Sequence, residues 1–328
     1  MVSKRGFSPI FFLPLSSMGE FELIAAIRHA AATLPDNSFE GIGDDCAVLP
    51  IGGDEALVFT TDALNEGVHF LRAATSPYEL GHKTLAVNLS DVAAMGVAPT
   101  GVLLTLGLPA DLPEGWSEEF MAGFLSLANR HQVALIGGDT TRSLSGITLT
   151  VTAIGRGPVA HLKCRRAAQV GDIIFVSGPL GGSAVGLNDL LNGHLDTPMA
   201  RLHRCPEPEI EAGIWLGSRG EVHAMMDISD GVASDLGHIL EESGVGAEIE
   251  LTAIPCDEGA TLRQALTGGE DYRLLFTVEN AKAEQLMADF ETRFARMLYP
   301  IGRITEGGLR WMENKKPSSF DGRGYTHF

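Results

Sequence analysis

The sequence predicts an α/β (α+β) fold in two domains. Short β-rich apolar runs end in polar tips that carry aspartate, segments with helical apolar spacing lie between them, and 328 residues suffice for two domains of ordinary size. Hydrophobic residues are 45% and charged residues 20%, a balance that lets a chain of this length bury a large core.

The elements follow in order. Residues 1–17 combine Lys4 and Arg5 with an apolar stretch that Pro9 and Pro14 interrupt, and no small-residue cleavage site follows. They are expected to be a poorly ordered upstream extension. Residues 19–34 place Phe21, Ile24 and Ile27 at helical spacing. "ALVFTTDAL" then ends in Thr60, Thr61 and Asp62, "LAVNLSDVAAMG" in Ser90 and Asp91, "VALIGGDTTRS" in Asp139, and "VHAMMDISDG" in Asp227, Ser229 and Asp230. The second of these fits a helix equally well, since Leu85, Leu89 and Val92 keep helical spacing. Further helices are expected over 114–131, 183–192, 232–243 and 279–296. Residues 155–172, rich in Arg and Gly, break the pattern and place a domain boundary near 156. "DIIFVSGPLGGSAVGLNDLL" then opens the second domain as strand, Gly-rich turn and helix. The expected division is 1–17, 18–155 and 156–328.

The formal net charge of −18 argues against a nucleic-acid surface or adhesion to anionic membrane, and it requires cations wherever the substrate is an anion. No run is long and apolar enough to span a bilayer. The four cysteines show no C-x-x-C spacing, which points to reduced thiols in a cytoplasmic protein rather than a zinc site or a disulfide scaffold.

The chemistry concentrates in aspartates. "FEGIGDDCAVLP" sets Asp44 beside Asp45. Two ionised carboxylates about 4 Å apart repel by roughly 4 kcal/mol at an effective dielectric near 20, so solvent or a cation must take the charge. Asp44, Asp45, Asp62, Asp91, Asp139, Asp227 and Asp230 all sit at loop tips. Carboxylate oxygens are the hard ligands that Mg²⁺ prefers, and Mg²⁺ sites commonly add substrate phosphates. Turn or cap roles explain any one of them alone, and Asp230 before Gly231 fits a helix cap. Phosphate handling has weaker signals. The P-loop pattern is absent. "SGPLGGSAVG" can hold an anion at a helix N-terminus or merely turn the chain. Gly137 and Gly138 allow close backbone approach to phosphate, and Arg165 is either a charge clamp or a solvated loop residue. The doublet Glu270–Asp271 reads as a turn before a strand. No Ser/His/Asp order or Cys/His pairing suggests covalent catalysis.

Taken together, "GIGDDCAVL", "TTDALNEGVHF", "HKTLAVNLSDVAAMGVAPT", "LIGGDTTRS", "DISDGVASDLGHI", "GGEDYRLLF" and the terminal "GYTHF" resemble the thiamine-monophosphate kinase family, in order and over nearly the whole chain from Met18. The resemblance implies a two-domain fold like aminoimidazole ribonucleotide synthetase, with a dimer-forming sheet in the N-terminal domain and an α/β C-terminal domain. It implies a homodimer that uses ATP and several Mg²⁺ ions to convert thiamine phosphate to thiamine diphosphate. By motif match it assigns Asp45, Thr60, Thr61, Asp62, Asp91, Asp139, Asp227 and Asp230 to metal. Gly138, Asp139, Arg165 and Ser229 fall to ATP, and His69, Glu270 and Tyr325 to thiamine phosphate. Cys46, His82 and Thr326 depart from the family pattern without removing a ligand. Alternatives are another ATP-dependent enzyme of the same superfamily and a non-catalytic protein that binds Mg-nucleotide or thiamine diphosphate.

Overall fold

The structure, a computed structural model, describes residues 19–34, 38–322, 324 and 325. The expected extension 1–17 and the tail residues 326–328 lie outside that range. The N-terminal half runs α1 (Glu20–Ala31), β1 (Ala47–Gly52), β2 (Glu55–Asn65), α2 (Pro77–Ala94), β3 (Ala98–Leu108), α3 (Trp116–Arg130), β4 (Ala134–Arg142) and β5 (Thr148–Pro158). The C-terminal half begins with β6 (Ile173–Val176), α4 (Gly182–Leu191), α5 (Pro198–Arg204), α6 (Ile210–Gly217), β7 (Val222–Asp227) and α7 (Val232–Ser243). It continues through β8 (Gly246–Glu250), α8 (Leu262–Thr267), β9 (Leu274–Val278), α9 (Ala283–Phe294), β10 (Tyr299–Thr305), β11 (Leu309–Glu313) and β12 (Lys316–Pro317). The four helices expected from spacing are α3, α4, α7 and α9. Residues 82–96, open between strand and helix in the sequence, fall in α2 and the turn after it.

The first sheet has the order β1-β2-β5-β3-β4, antiparallel except for the parallel β3–β4 pair that α3 connects. Helices α2 and α3 cover one face, where Leu85, Leu89, Phe120 and Phe124 pack on Val58, Val151 and Ala153. Every residue of β4 is exposed, including Leu135 and Ile136, and Leu103 of β3 is exposed as well.

The second sheet has the order β12-β11-β8-β10-β6-β9-β7. Strand alternation builds two cores on it. Ile174 and Val176 of β6 face Leu236, Ile239 and Leu266 of α7 and α8, while Phe175 between them faces Leu216 of α6 and Phe290 of α9. The C-terminal half is therefore a sheet with helices on both faces.

Helix α2 joins the two halves. A capping box starts it, with Ser76 Oγ accepting from Glu79 N–H and Glu79 Oε2 accepting from Ser76 N–H, and Pro77 occupies its first turn. It packs on α3 and the first sheet, and also on α6 and β7. A helix buried on nearly every side reads as apolar all round, which is why its sequence also suits a strand. Backbones approach closely at its end: a Cβ on Gly213 of α6 would lie 2.2 Å from the Ala93 carbonyl oxygen.

Candidate active site

Three aspartates from three elements converge between the halves. Asp45 precedes β1, Asp91 sits in the last turn of α2, and Asp227 ends β7. One carboxylate oxygen of each lies within 4.8 Å of the others. Local hydrogen bonds aim them: Thr60 Oγ1 donates to Asp91 Oδ2 at 2.6 Å, and Ser90 Oγ donates to Asp227 Oδ2 at 2.5 Å. Asp62 lies alongside on β2, its N–H donating to the Asn88 side chain at 3.0 Å.

So many buried acids repel their own charge. Burial, and then the Asp45 charge, push Asp227 up to about 8. Burial raises Asp91 well above the ordinary carboxylate range, with Asp62 and Asp227 adding to it. Burial and Asp45 likewise raise Asp62. Asp45 Oδ2 is buried with no hydrogen-bond partner among the described residues, while Oδ1 is ion-paired to Arg165. A cluster of hard oxygens with an orphaned acceptor fits a divalent cation such as Mg²⁺.

Arg165 is thus neither a solvated loop residue nor a side chain extended toward solvent. It sits in the 3₁₀ turn after Cys164 and supplies the positive charge that faces the acidic doublet. Its backbone N–H donates to Asp44 Oδ1 at 3.0 Å, so the two carboxylates divide their work. Asp44 fixes the Arg165 backbone, and Asp45 faces the cluster.

The cluster opens into a cavity of about 630 Å³ lined by residues of both halves, among them Asp62, His69, Asp91, Ser229, Asp230, Glu270 and Tyr325. The structure therefore places six expected site residues from distant parts of the sequence, Asp62, Asp91, His69, Ser229, Glu270 and Tyr325, around one space. Asp230 shares it, but the N-cap of α7 is Gly231, and Asp230 is tied through its N–H to Asp235 Oδ2 and through its carbonyl to Tyr325 N–H.

Three expected residues lie apart. Thr61 alternates to the other face of β2, where its hydroxyl donates to the Val151 carbonyl at 3.0 Å. Gly138 and Asp139 stand on exposed β4, outside the cavity lining. Gly138 is required there by packing, since a Cβ would lie 1.8 Å from the Leu104 carbonyl oxygen.

The Gly-rich turn before α4 already holds an anion. Gly181 N–H donates to Asp271 Oδ2 at 2.6 Å and Ser183 N–H to Oδ1 at 3.2 Å. The Glu270–Asp271 doublet is divided as the first one is: Asp271 caps α4, and Glu270 faces the cavity. Sequence reasoning missed Lys83 and His203, which contact Glu270. For Lys83, a lysine at the head of the apolar run in "HKTLAVNL" was the available signal.

Residues 43–157 match the family AIR synthase related protein, N-terminal domain, and residues 169–311 match AIR synthase related protein, C-terminal domain. The class is therefore a two-domain AIR synthase-related protein with its acidic cluster between the domains. The thiamine-monophosphate kinase of Haemophilus influenzae is 38% identical over 95% of this chain and 98% of its own. Among solved structures, AaThiL complexed with AMPPCP and TMP superposes with a TM-score of 0.82 at 32% identity, over 96% of this chain and 99% of that one. The thiamine-monophosphate kinase of Stenotrophomonas maltophilia K279a gives 0.73 at 38% identity, over 92% and 99%. The chain belongs to the thiamine-monophosphate kinase family of enzymes.

Proposed function

We propose that this protein transfers the γ-phosphoryl group of ATP to thiamine phosphate in one in-line step, giving thiamine diphosphate. The observation that carries this reading is the convergence of Asp45, Asp91 and Asp227 beside a cavity of about 630 Å³ that Asp91 and Asp62 line, in a chain whose relative AaThiL is complexed with AMPPCP, an ATP analogue, and TMP.

The acceptor is a phosphate monoester whose second pKa is near 6, so at neutral pH its oxygen is already an anion and needs no general base. The protein's task is then to align two anions and offset their repulsion. Asp45, Asp91 and Asp227 would hold Mg²⁺, with Asp62, Thr60 and Asp230 beside them. A metal held there would supply positive charge to offset the repulsion between the phosphates. Ser229 and Arg165 are assigned to ATP. His69, Glu270 and Tyr325 are assigned to thiamine phosphate. Thr61, Gly138 and Asp139 keep metal or ATP roles on the family resemblance alone.

The protein acts as a cytoplasmic homodimer in this reading, and its domains divide near residue 156. Exposed Leu103, Leu135 and Ile136 on β3 and β4 support a second copy as the cover of the first sheet. Among the described residues no helix is long and apolar enough to cross a membrane.

The test is product formation from ATP, Mg²⁺ and thiamine phosphate, with free thiamine as a parallel acceptor. Thiamine diphosphate is expected from thiamine phosphate alone and only without EDTA. Absence of product would overturn the substrate assignment, and a phosphorylated protein trapped after ATP alone would overturn the single-step transfer.

A further inference from the structure

Lys83 lies in the middle of α2 with its side chain 1% exposed, among residues that are otherwise mostly apolar. Its ammonium makes two contacts across the cavity wall. Nζ donates to the His69 carbonyl at 3.1 Å and is ion-paired to Glu270 Oε1 at 2.8 Å. One charged group thus ties the loop after β2, in the N-terminal half, to the turn before β9, in the C-terminal half. Glu270 is held from the other side as well. His203 of α5, also buried, places Nδ1 3.4 Å from Glu270 Oε2 and 2.8 Å from Ser183 Oγ. The Glu270 N–H donates to the Ser229 carbonyl at 2.8 Å.

The backbone of Glu270 has φ 65, in the left-handed region that a glutamate rarely occupies. Such a conformation persists only where the surroundings over-determine it, and those surroundings are Lys83, His203 and Ser229. A buried ion pair is a poor means of gaining stability, since apolar residues of similar volume usually serve as well. Its value here is geometric.

We propose that Lys83 and His203 are positioning residues for the acceptor: they hold the Glu270 carboxylate, and Lys83 also holds the His69 loop, in the arrangement that receives thiamine phosphate. This rests on the reading above that His69 and Glu270 face that substrate. With its charge balanced by Lys83, Glu270 presents an oriented hydrogen-bond acceptor rather than a free counter-ion. Two lone-pair directions per carboxylate oxygen leave room for that bond.

The experiment measures KM for both substrates in Lys83→Met, His203→Gln, Glu270→Gln and the double variant Lys83→Met/Glu270→Gln, with thermal unfolding as a check on folding. Each single variant is expected to raise KM for thiamine phosphate about tenfold, the scale of one charge-assisted hydrogen bond, while KM for ATP stays within about twofold. Because Lys83 acts largely through Glu270, the double variant should exceed the worse single variant by no more than about twofold. Unchanged KM in a folded Lys83→Met or His203→Gln, or effects that multiply, would overturn the proposal. If Lys83→Met does not fold, the double variant, which leaves no orphaned charge, is compared with Glu270→Gln, and KM values within about twofold of each other are expected. An unchanged KM in Glu270→Gln would instead defeat the acceptor assignment itself. Wild-type protein that makes no thiamine diphosphate would defeat the kinase reading.

Discussion

Arg165 and Asp45 form an ion pair across the two halves of the chain, the guanidinium of one covering a carboxylate whose second oxygen has no hydrogen-bond partner among the described residues. Arg165 supplies the positive charge that faces the Asp45 carboxylate, and the two partners should respond to mutation unequally. Without metal, Arg165→Gln leaves the buried Asp45 carboxylate unpaired and should cost about 3–5 kcal/mol, the scale for breaking a buried pair. Asp45→Asn removes a repelling charge and should cost less than half of that, yet lower activity about a hundredfold or more. Urea unfolding in EDTA, set beside kcat/KM in Mg²⁺, checks both. Equal destabilisation by the two variants would mean that the pair is not compensating the cluster.

The raised carboxyl of Asp227 sets a pH dependence of stability in metal-free protein. Its folded pKa is about 8, against about 3.9 unfolded. Between those values the folded state holds more protons, so stability is lost as pH rises. His203, lowered to about 4 by burial and then by Lys83, works in the opposite direction below pH 6.5. From pH 6.5 to 8 the Asp227 effect stands clear of it, at up to about 1.4 kcal/mol per pH unit. Tm in EDTA should therefore fall across that window, and both Asp227→Asn and saturating Mg²⁺ should reduce the slope, to which buried Asp91 and Asp235, raised in the same direction, also contribute. A flat metal-free profile would contradict the assignment.

Tyr325 is half exposed at the mouth of the cavity, and its N–H is anchored to the Asp230 carbonyl at 3.0 Å. A ring there can stack on the cationic thiazolium of the acceptor. Tyr325→Ala is expected to raise KM for thiamine phosphate about tenfold, the upper part of the cation–π range, with Tyr325→Phe close to wild type. Steady-state kinetics with varied thiamine phosphate decide this, and a wild-type KM in the alanine variant would remove Tyr325 from the site.

Ile136 is 57% exposed on an edge strand that is open along its whole length. Exposed apolar edges invite pairing, and a charge placed on them blocks it. Ile136→Lys should convert a dimer to a monomer, as measured by light scattering, without lowering helix content. A variant that remains dimeric would move the interface away from β4.

Much of the fold was legible because helices and strands are written in local periodicity. The spacing around Phe120, Leu236 and Phe290 marks α3, α7 and α9 without knowledge of their partners. The strands β3, β5, β8 and β10–β12 and the short helices α5, α6 and α8 were not anticipated. Strand alternation over so few residues is weak, and exposed Arg303, Arg310 and Glu313 leave little apolar signal in β10 and β11. In the candidate site, the aspartates were visible as a repeated residue type at the ends of apolar runs. Their division of labour was not: Asp44 and Asp45 look alike in sequence, as do Glu270 and Asp271, yet one of each pair binds a backbone amide and the other faces the cavity.

By itself the sequence determined the class of fold, the family and the hard-oxygen character of the site, since these depend on residue type and short-range order. Only the tertiary structure decided which carboxylates meet, that Arg165 covers Asp45, that Thr61 turns away from Asp62, and that Lys83 and His203 stand behind Glu270. Those facts depend on contacts between residues far apart in the chain. There, burial and charge are set by whichever element folds against the group, and the residues beside it in the chain do not encode that.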